Sequence, residues 1–220
     1  MASFFNLFLD TTAPAGVTLS LNDDARYTTS ATISAKIGCS DESTDGYQLK
    51  VWGGVTGAAT EEEAAWVNFA ATKMIDLSTG DGKKTVNLKV RDTVGNESAV
   101  VTKEIILDTA VPVVTVTGPD KSRISKVENF NVAAISFTCD VDFVEYKIKV
   151  VPTTASLQDA GVVIGTANGS TNMSGTGEFP DADAINCTIN GADLEAASAG
   201  DGEKVIKVFV RNAAGTWSVA

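Results

Sequence analysis

The chain has 220 residues, 44% of them apolar, a formal net charge of −11 and no histidine. This length fits one large domain or two small ones, and the apolar fraction is enough to fill a core, so we expect a folded chain. The negative charge argues against nucleic acid or an anionic membrane as a partner. The absence of histidine excludes Ser-His and Cys-His nucleophile pairs and imidazole metal sites, so we predict that the protein is not an enzyme.

The N-terminal segment carries no export signal. Residues 1–10 have no basic start, and Asp10 interrupts an apolar run that is too short for a signal peptide. No later stretch approaches the ~18 consecutive apolar residues of a membrane span. We therefore expect synthesis in the cytosol without export or membrane insertion.

Two copies of one sequence pattern make up the rest of the chain. The matching segments are Asp10-Thr-Thr-Ala-Pro14 with Asp108-Thr-Ala-Val-Pro112, Tyr47-Gln-Leu-Lys-Val51 with Tyr146-Lys-Ile-Lys-Val150, Cys39 with Cys139, Gly80-Asp-Gly-Lys-Lys84 with Gly200-Asp-Gly-Glu-Lys204, and Val90-Arg-Asp-Thr-Val-Gly95 with Val210-Arg-Asn-Ala-Ala-Gly215. The offset grows along the chain, which places an insertion of roughly twenty residues at about 152–185, in polar sequence that predicts a long surface loop. We predict an N-terminal strand at 1–10, domain 1 at 11–109 and domain 2 at 110–220.

Apolar and polar residues alternate with a period of two in both copies. In-facing positions in the first copy include Ile33, Ala35, Ile37 and Cys39 and then Val86, Leu88 and Val90. This alternation is typical of antiparallel sheets with one buried face, and about seven short strands per hundred residues predict an Ig-like sandwich. The predicted fold class is therefore all-β, with two tandem Ig-like antiparallel β-sandwiches. Thr60-Glu-Glu-Glu63 and Gly191-Ala-Asp-Leu-Glu-Ala-Ala197 predict two short helical exceptions.

The tyrosine-bearing strand, the Gly80-Asp-Gly-Lys-Lys-Thr-Val86 turn and strand, the Val90 to Ser98 hairpin and the Leu9-Asp-Thr-Thr-Ala-Pro14 linker occur together. Over nearly the whole chain they resemble the tandem Ig-like repeats of bacteriophage virion proteins and bacterial surface adhesins. The resemblance implies a head decoration, collar, whisker or tail accessory protein, or a module that binds cell surfaces or glycans. The absence of an export signal favours the phage branch and a location on the virion.

The two ends of the chain differ in a way that suggests an exchanged strand. Residues 103–108 lead into the second linker as a final strand, and residues 4–10 precede the first linker in the same way. Domain 2 closes at Gly215-Thr-Trp-Ser-Val-Ala220, without most of that strand. Our hypothesis is that the N-terminal strand completes a neighbouring subunit or pairs with another virion protein by strand addition. The alternative is that residues 3–9 cover the start of domain 1 in the same chain. The predicted interaction residues are Phe4, Phe5, Leu7, Phe8, Leu9 and Trp217.

The cysteines, acidic groups and tryptophans are the remaining candidates for metal or ligand binding, and we predict structural roles for them. Cys39 and Cys139 are predicted to be small buried hydrophobes, with a disulfide between Cys139 and Cys187 as the alternative. No cofactor is predicted; Ca²⁺ bound by acidic loops remains an alternative. These acidic groups are Asp23-Asp24, Asp41-Glu42 with Asp45, Asp181 with Asp183, Asp10 and Asp108. Packing is favoured over sugar stacking for the three tryptophans, Trp52, Trp66 and Trp217, and Trp66 is expected in the core of domain 1 beside Phe69.

The leading functional prediction is a non-enzymatic virion structural protein, either a capsid decoration or another particle-attached accessory protein. The alternative is a tail, collar or surface adhesin module that binds host cell-surface glycans through the 152–185 loop. The predicted partners are other virion proteins and copies of the chain itself, with host glycans in the alternative, and neither nucleic acid nor membrane. A hydrolase would need paired carboxylates across a cleft, whereas the acids here fall in separate loops.

Overall fold

A computed structural model of the chain describes residues 6–219, and the division between two compact units falls between Thr109 and Ala110. Each unit is a β-sandwich whose sheets are mainly antiparallel, which confirms the predicted fold class. No helix among the described residues is long and apolar enough to cross a membrane.

The described residues of domain 1 form eight strands in two sheets. They are β1 (Thr18–Leu21), β2 (Tyr27–Thr28), β3 (Thr32–Gly38), β4 (Gln48–Gly53), β5 (Val67–Asn68), β6 (Thr72–Asp76), β7 (Gly82–Arg91) and β8 (Val101–Leu107). One sheet has the order β1-β3-β6 and the other β2-β8-β7-β4-β5. The short strand β2 runs parallel to β8, and the other pairings in this domain are antiparallel.

Seven strands and one short helix lie in the part of domain 2 that the structure describes. They are β9 (Val114–Thr117), β10 (Val132–Cys139), β11 (Phe143–Val151), β12 (Val162–Val163), β13 (Ser174–Phe179), β14 (Ile185–Asn190), α1 (Gly191–Ala197) and β15 (Val205–Arg211). One sheet has the order β14-β10-β9. In the other, β15 pairs along one edge of β11, while β12 and β13 pair with successive parts of its opposite edge.

The two cores follow the sequence alternation but differ in content. In domain 1 the buried cluster is aliphatic, with the predicted in-facing residues Ile33, Ile37, Val86 and Leu88 among its members. In domain 2 four aromatic rings pack together, with centroids 4.9–6.4 Å apart for the contacting pairs. These rings belong to Phe137, Phe143, Tyr146 and Phe179. Burial of such apolar surface is the main stabilising contribution in both domains.

The inserted segment at 152–185 is not the surface loop that its polar composition predicts. It forms β12 and β13, and the side chains of Ile164 and Met173 join the core of domain 2. The prediction was wrong because a few apolar residues are enough to anchor a polar segment when an open strand edge of β11 is available to it.

The two predicted helical turns have different outcomes. Residues 191–197 form α1, and the side chain of Asn190 accepts a hydrogen bond from the Ala192 N–H as its N-cap. Residues 60–63 form a turn and no helix, although the Glu63 carboxylate accepts hydrogen bonds from the Ala59 and Thr60 N–H groups. The capping interaction is therefore present without a following helix, because Val67 and Asn68 pair with β4 instead.

Candidate interaction edge

The hairpins that follow β7 in domain 1 and β15 in domain 2 have the same geometry. In domain 1 the backbone of Val90 exchanges hydrogen bonds with Ser98, whose N–H donates to the Val90 carbonyl over 2.8 Å. In domain 2 Val210 and Ser218 make the same pair, also at 2.8 Å. The offset of 120 residues found in the sequence therefore matches equivalent positions in space.

In domain 1 this hairpin leads into β8, which covers the edge of β7. The two strands pair from Gly82 opposite Leu107 to Leu88 opposite Val101. The side chains of Ile105 and Leu107 are buried and belong to the domain 1 core. The β7 edge of domain 1 is therefore closed by hydrogen bonds and by apolar side chains.

In domain 2 no strand among the described residues covers the equivalent edge. Among residues 6–219, β11 is the one strand that pairs with β15. In an antiparallel strand, alternate residues direct both backbone groups to the same neighbour. Because Val210 faces Ser218, the alternation directs the backbone groups of Val208 and Ile206 to the same outer edge. An open edge of this kind is a template for pairing with another strand.

Two structural differences accompany the open edge. Residues 202–204, which correspond to the strand residues 82–84, lie outside β15. Ile206 is half-buried, whereas its counterpart Val86 is completely buried. Both differences occur at the positions where β8 pairs in domain 1, and no described strand pairs with β15 there.

A third difference concerns the segment that corresponds to β2. In domain 1 Tyr27 pairs with Ile106 of β8. An offset of 100 places Val127 at the equivalent position, where domain 2 has no strand and Val127 and Phe130 are largely exposed. The sequence analysis did not identify Val127, Phe130 and Ile206 as candidate interaction residues. They are found by comparing the burial of each residue with that of its domain 1 counterpart.

The N-terminal segment is apolar and exposed where it is described. Leu7, Phe8 and Leu9 are 86%, 93% and 89% exposed, and residues 6–10 form no strand. The N-terminal strand predicted at 1–10 is therefore not formed over residues 6–10, because an extended segment needs a partner edge to become a strand. These residues also do not cover domain 1, as the alternative prediction required. Phe4 and Phe5 lie outside the described residues.

Trp217 forms a β-bridge with Arg211, the last residue of β15, and lies on the outer face of the same sheet. Its ring is half-buried, with the Lys147 Nζ 4.7 Å and the Arg211 Cζ 5.7 Å from its centroid. Glu145 accepts from both cations, at 2.9 Å from Lys147 and 2.7 Å from Arg211. The hydrogen bond from Lys147, with the charge of Arg211, holds the pKa of Glu145 below its usual value. The structure thus places Trp217 beside the outer edge of β15, in a cluster of charged side chains in which the buried Arg211 Nε has no hydrogen-bond partner among the described residues.

Trp66 in domain 1 also packs against two cations, and the prediction that it lies in the core is wrong. It lies outside the core cluster, with Lys50 Nζ 4.7 Å and Arg91 Cζ 4.4 Å from its ring centroid. Glu61 accepts from Lys50 at 2.7 Å and from Lys89 at 2.8 Å, and these contacts lower the pKa of Glu61. Cations attract the ring faces of tryptophan, which keeps Trp66 on the charged outer face rather than in the core.

The other candidate groups take structural roles. The three cysteines are free, Cys139 and Cys187 are buried, and Cys39 is half-buried rather than buried as predicted. Burial raises the pKa of Cys187 to about 11. Asp41 accepts a hydrogen bond from the Tyr47 hydroxyl at 2.9 Å, which raises the pKa of Tyr47 to about 12. Within residues 6–219 no group of three or more His, Cys, Asp or Glu side chains is placed to hold a metal ion.

No protein-family model and no curated protein sequence matches the chain. Similar solved structures include a chain titled as a membrane-anchored protein of Corynebacterium diphtheriae (12% identity, TM-score 0.36, 93% of this chain and 56% of that one). Others are the D00-D0 domain of intimin (13%, 0.31, 92% and 98%) and a carbohydrate-binding module of the β-sandwich superfamily (13%, 0.38, 95% and 99%). The chain thus spans about half of the first of these proteins. At these identities and TM-scores no property of these proteins transfers to this chain.

Proposed function

We propose that this chain is a non-enzymatic structural protein of a bacteriophage virion, a capsid decoration or another particle-attached accessory protein. In this role its two sandwiches act as a scaffold, and attachment is made by strand edges and apolar segments. The phage assignment comes from the resemblance of the linker and hairpin motifs to those of virion Ig-like repeats.

The observation that supports attachment is the open edge of β15. Its outward backbone groups and the half-buried side chain of Ile206 offer a binding surface to an extended segment of another protein molecule. Strand addition of this kind draws affinity from main-chain hydrogen bonds and specificity from alternate side-chain pockets. Such a surface suits a protein whose task is to be held on a particle.

The proposal is tested by asking whether the chain belongs to the particle. Virions purified by density gradient are analysed by quantitative mass spectrometry, with an abundant host protein as the control for contamination. We expect the chain to band with the virions in a fixed ratio to the major shell protein and to remain after a high-salt wash. A chain that stays in the soluble fraction, or bands at the level of the host control, contradicts a virion role.

A second candidate function is a surface adhesin that binds host glycans. The observation that favours it is the half-buried Trp66 ring on the outer face of the domain 1 sheet, beside Lys50 and Arg91. An aromatic ring with a few polar groups around it is a common way to hold a sugar. In this reading the binding surface lies on domain 1, rather than in the inserted segment of domain 2.

The adhesin candidate is tested on a glycan array with the wild-type chain and the Trp66→Ala variant. The matched control is Met74→Ala, because Met74 is an exposed apolar side chain on the other sheet of domain 1. We expect a bound glycan to be lost with Trp66→Ala and kept with Met74→Ala. Absence of binding by the wild-type chain would exclude this candidate.

A further inference from the structure

We propose that the outer edge of β15, which no described strand covers, binds the N-terminal segment, residues 6–9, of a second copy of this chain. The inference rests on the proposed function, since both use strand addition, and it narrows the partner from any virion protein to the chain itself. The segment would run antiparallel to β15, in the place that β8 occupies beside β7 in domain 1.

The first argument is the match between the N-terminal segment and β8. The linker that follows is Asp10-Thr-Thr-Ala-Pro14 in one case and Asp108-Thr-Ala-Val-Pro112 in the other. Aligning these linkers pairs Leu9 with Leu107, Leu7 with Ile105 and Phe8 with Ile106. In β8, Leu107 and Ile105 are buried and Ile106 between them is half-buried. The N-terminal segment thus has leucine at both positions where an edge strand of this sandwich contributes to the core.

The second argument is register. In domain 1 Ile105 lies opposite Lys84 and Leu107 opposite Gly82. The offset of 120 residues converts these positions to Lys204 and Gly202. The residues before β15 already make the same contact as those of domain 1. Lys84 Nζ donates to the Thr79 carbonyl at 3.1 Å, and Lys204 Nζ donates to the Ala199 carbonyl at 3.2 Å. Leu7 would therefore lie opposite Lys204, and Leu9 opposite Gly202.

The third argument is that donor and acceptor lack partners in the described part of the chain. Leu7, Phe8 and Leu9 are almost fully exposed, and no described strand pairs with the outer edge of β15. Three consecutive exposed large apolar residues are costly in water, and an open strand edge is prone to pairing. Because donor and acceptor are different surfaces of the molecule, such association is head-to-tail and yields rings or filaments.

The first experiment measures mass by analytical ultracentrifugation of the 220-residue chain across a concentration series. We expect oligomers for the wild-type chain, and a dissociation constant at least about tenfold weaker for Leu7→Ser combined with Leu9→Ser, since two buried leucines are lost. Phe8→Ser is the matched control, because Phe8 lies between them and faces away from the core in this register. A monomeric wild-type chain, or an equal loss with Phe8→Ser, would overturn the proposal.

The second experiment tests the register by cross-linking, in a Cys39→Ser background. Phe8 and Glu203 would form a pair that is not hydrogen-bonded, in which side chains lie closest. Under mild oxidation we expect Phe8→Cys with Glu203→Cys to give covalent dimers and larger species. The register control, Phe8→Cys with Lys204→Cys, should stay uncross-linked. Cross-linking within one chain, or equal cross-linking in the control, would overturn the assignment to a second copy.

These results separate the inference from the proposed function. If the chain bands with virions but is monomeric and gives no covalent oligomers, the second-copy inference fails and the virion role stands. If it forms the cross-linked oligomers but is absent from virions, the proposed function fails and the strand exchange stands.

Discussion

Domains 1 and 2 share their final hairpin but differ in the strand that follows it. β7 has ten residues and pairs with β4 from Val86 onward, so residues 82–85 belong to the strand because β8 pairs with them. β15 has seven residues and begins at Val205, where β11 provides its partner. The comparison shows that the length of a strand is decided by its neighbours as much as by its own sequence.

The opposite edges of the same two sheets also differ, and here domain 2 has the more complete cover. In domain 1 the far edge of β4 is covered by the two-residue strand β5. In domain 2 the inserted segment supplies both β12 and β13 along β11. Among the described residues, domain 2 therefore covers one sheet edge more fully than domain 1 and leaves the outer edge of β15 without a partner strand.

The largest expected effect comes from weakening the packing of β8 against the domain 1 core. The β7 edge would then be covered less well, as the β15 edge is in domain 2. Ile105→Ala removes a side chain that is completely buried in the domain 1 core. We expect a loss of about 3 kcal/mol in the free energy of unfolding of domain 1, from lost burial and an unfilled cavity. Urea unfolding followed by hydrogen exchange of domain 1 peptides measures it.

The matched control for Ile105→Ala is Val100→Ala, an exposed position in the approach to β8. We expect its effect to stay within about 0.5 kcal/mol. Equal losses from the two variants would show that β8 does not stabilise domain 1 through its buried face.

The next effect tests how domain 2 holds its inserted segment. Asp193 is 2% exposed, and its carboxylate accepts hydrogen bonds from the Asn168 N–H and side-chain amide and from the Ser170 N–H, each at 2.9 Å. Burial disfavours the charge, but these hydrogen bonds outweigh it and hold the pKa of Asp193 below its usual value. Asp193→Asn replaces an acceptor by a donor, and we expect a loss of about 2 kcal/mol in domain 2 stability.

Hydrogen exchange of the peptides around residues 166–173 reports this loss, because their amides should exchange faster. The matched control is Asp159→Asn, which makes the same chemical change at an exposed position of the inserted segment. If Asp159→Asn destabilised domain 2 as much, anchoring by Asp193 would not explain the order of this segment.

Period-two alternation was enough to predict the β class and most of the core, because burial on one face of a strand is a local signal. The internal repeat added the equivalence of Val90 with Val210 and of Cys39 with Cys139. The inserted segment could not be placed in this way. Its order depends on Asp193, Ile164 and the free edge of β11, which are distant in sequence and carry no periodic pattern.

The candidate edge was only partly predictable. Comparing the two copies of the repeat drew attention to Leu7, Leu9 and Trp217. The half-buried state of Ile206 and the exposure of Phe130 required coordinates, because they follow from which strands pair. Trp66 was misplaced for a similar reason, since its cation partners Lys50 and Arg91 come from two different strands.

The smallest expected effect concerns acid sensitivity, because the hairpin of domain 1 has a carboxylate where that of domain 2 has an amide. Asp92 in domain 1 corresponds to Asn212 in domain 2, and each accepts a hydrogen bond from a backbone N–H four residues on, from Asn96 at 2.9 Å and from Thr216 at 2.8 Å. Burial disfavours the Asp92 charge, yet the hydrogen bonds from Asn96, Val94 and Gly95 prevail and lower its pKa. Only domain 1 therefore has an ionisable group at this position of the hairpin.

A carboxylate whose pKa is lower in the folded than in the unfolded state stabilises fully above the unfolded pKa, near 3.8 for Asp92. That contribution is lost as the pH falls through the lower, folded value. We expect Asp92→Asn to flatten the loss of domain 1 stability below about pH 4, measured by urea unfolding across the acid range. Asp45→Asn, at an exposed loop position, should leave the acid dependence unchanged. If Asp92→Asn left the slope as it was, the hairpin carboxylate would not be the group that couples domain 1 to pH, and the substitution of Asn212 for aspartate in domain 2 would have no consequence for acid stability.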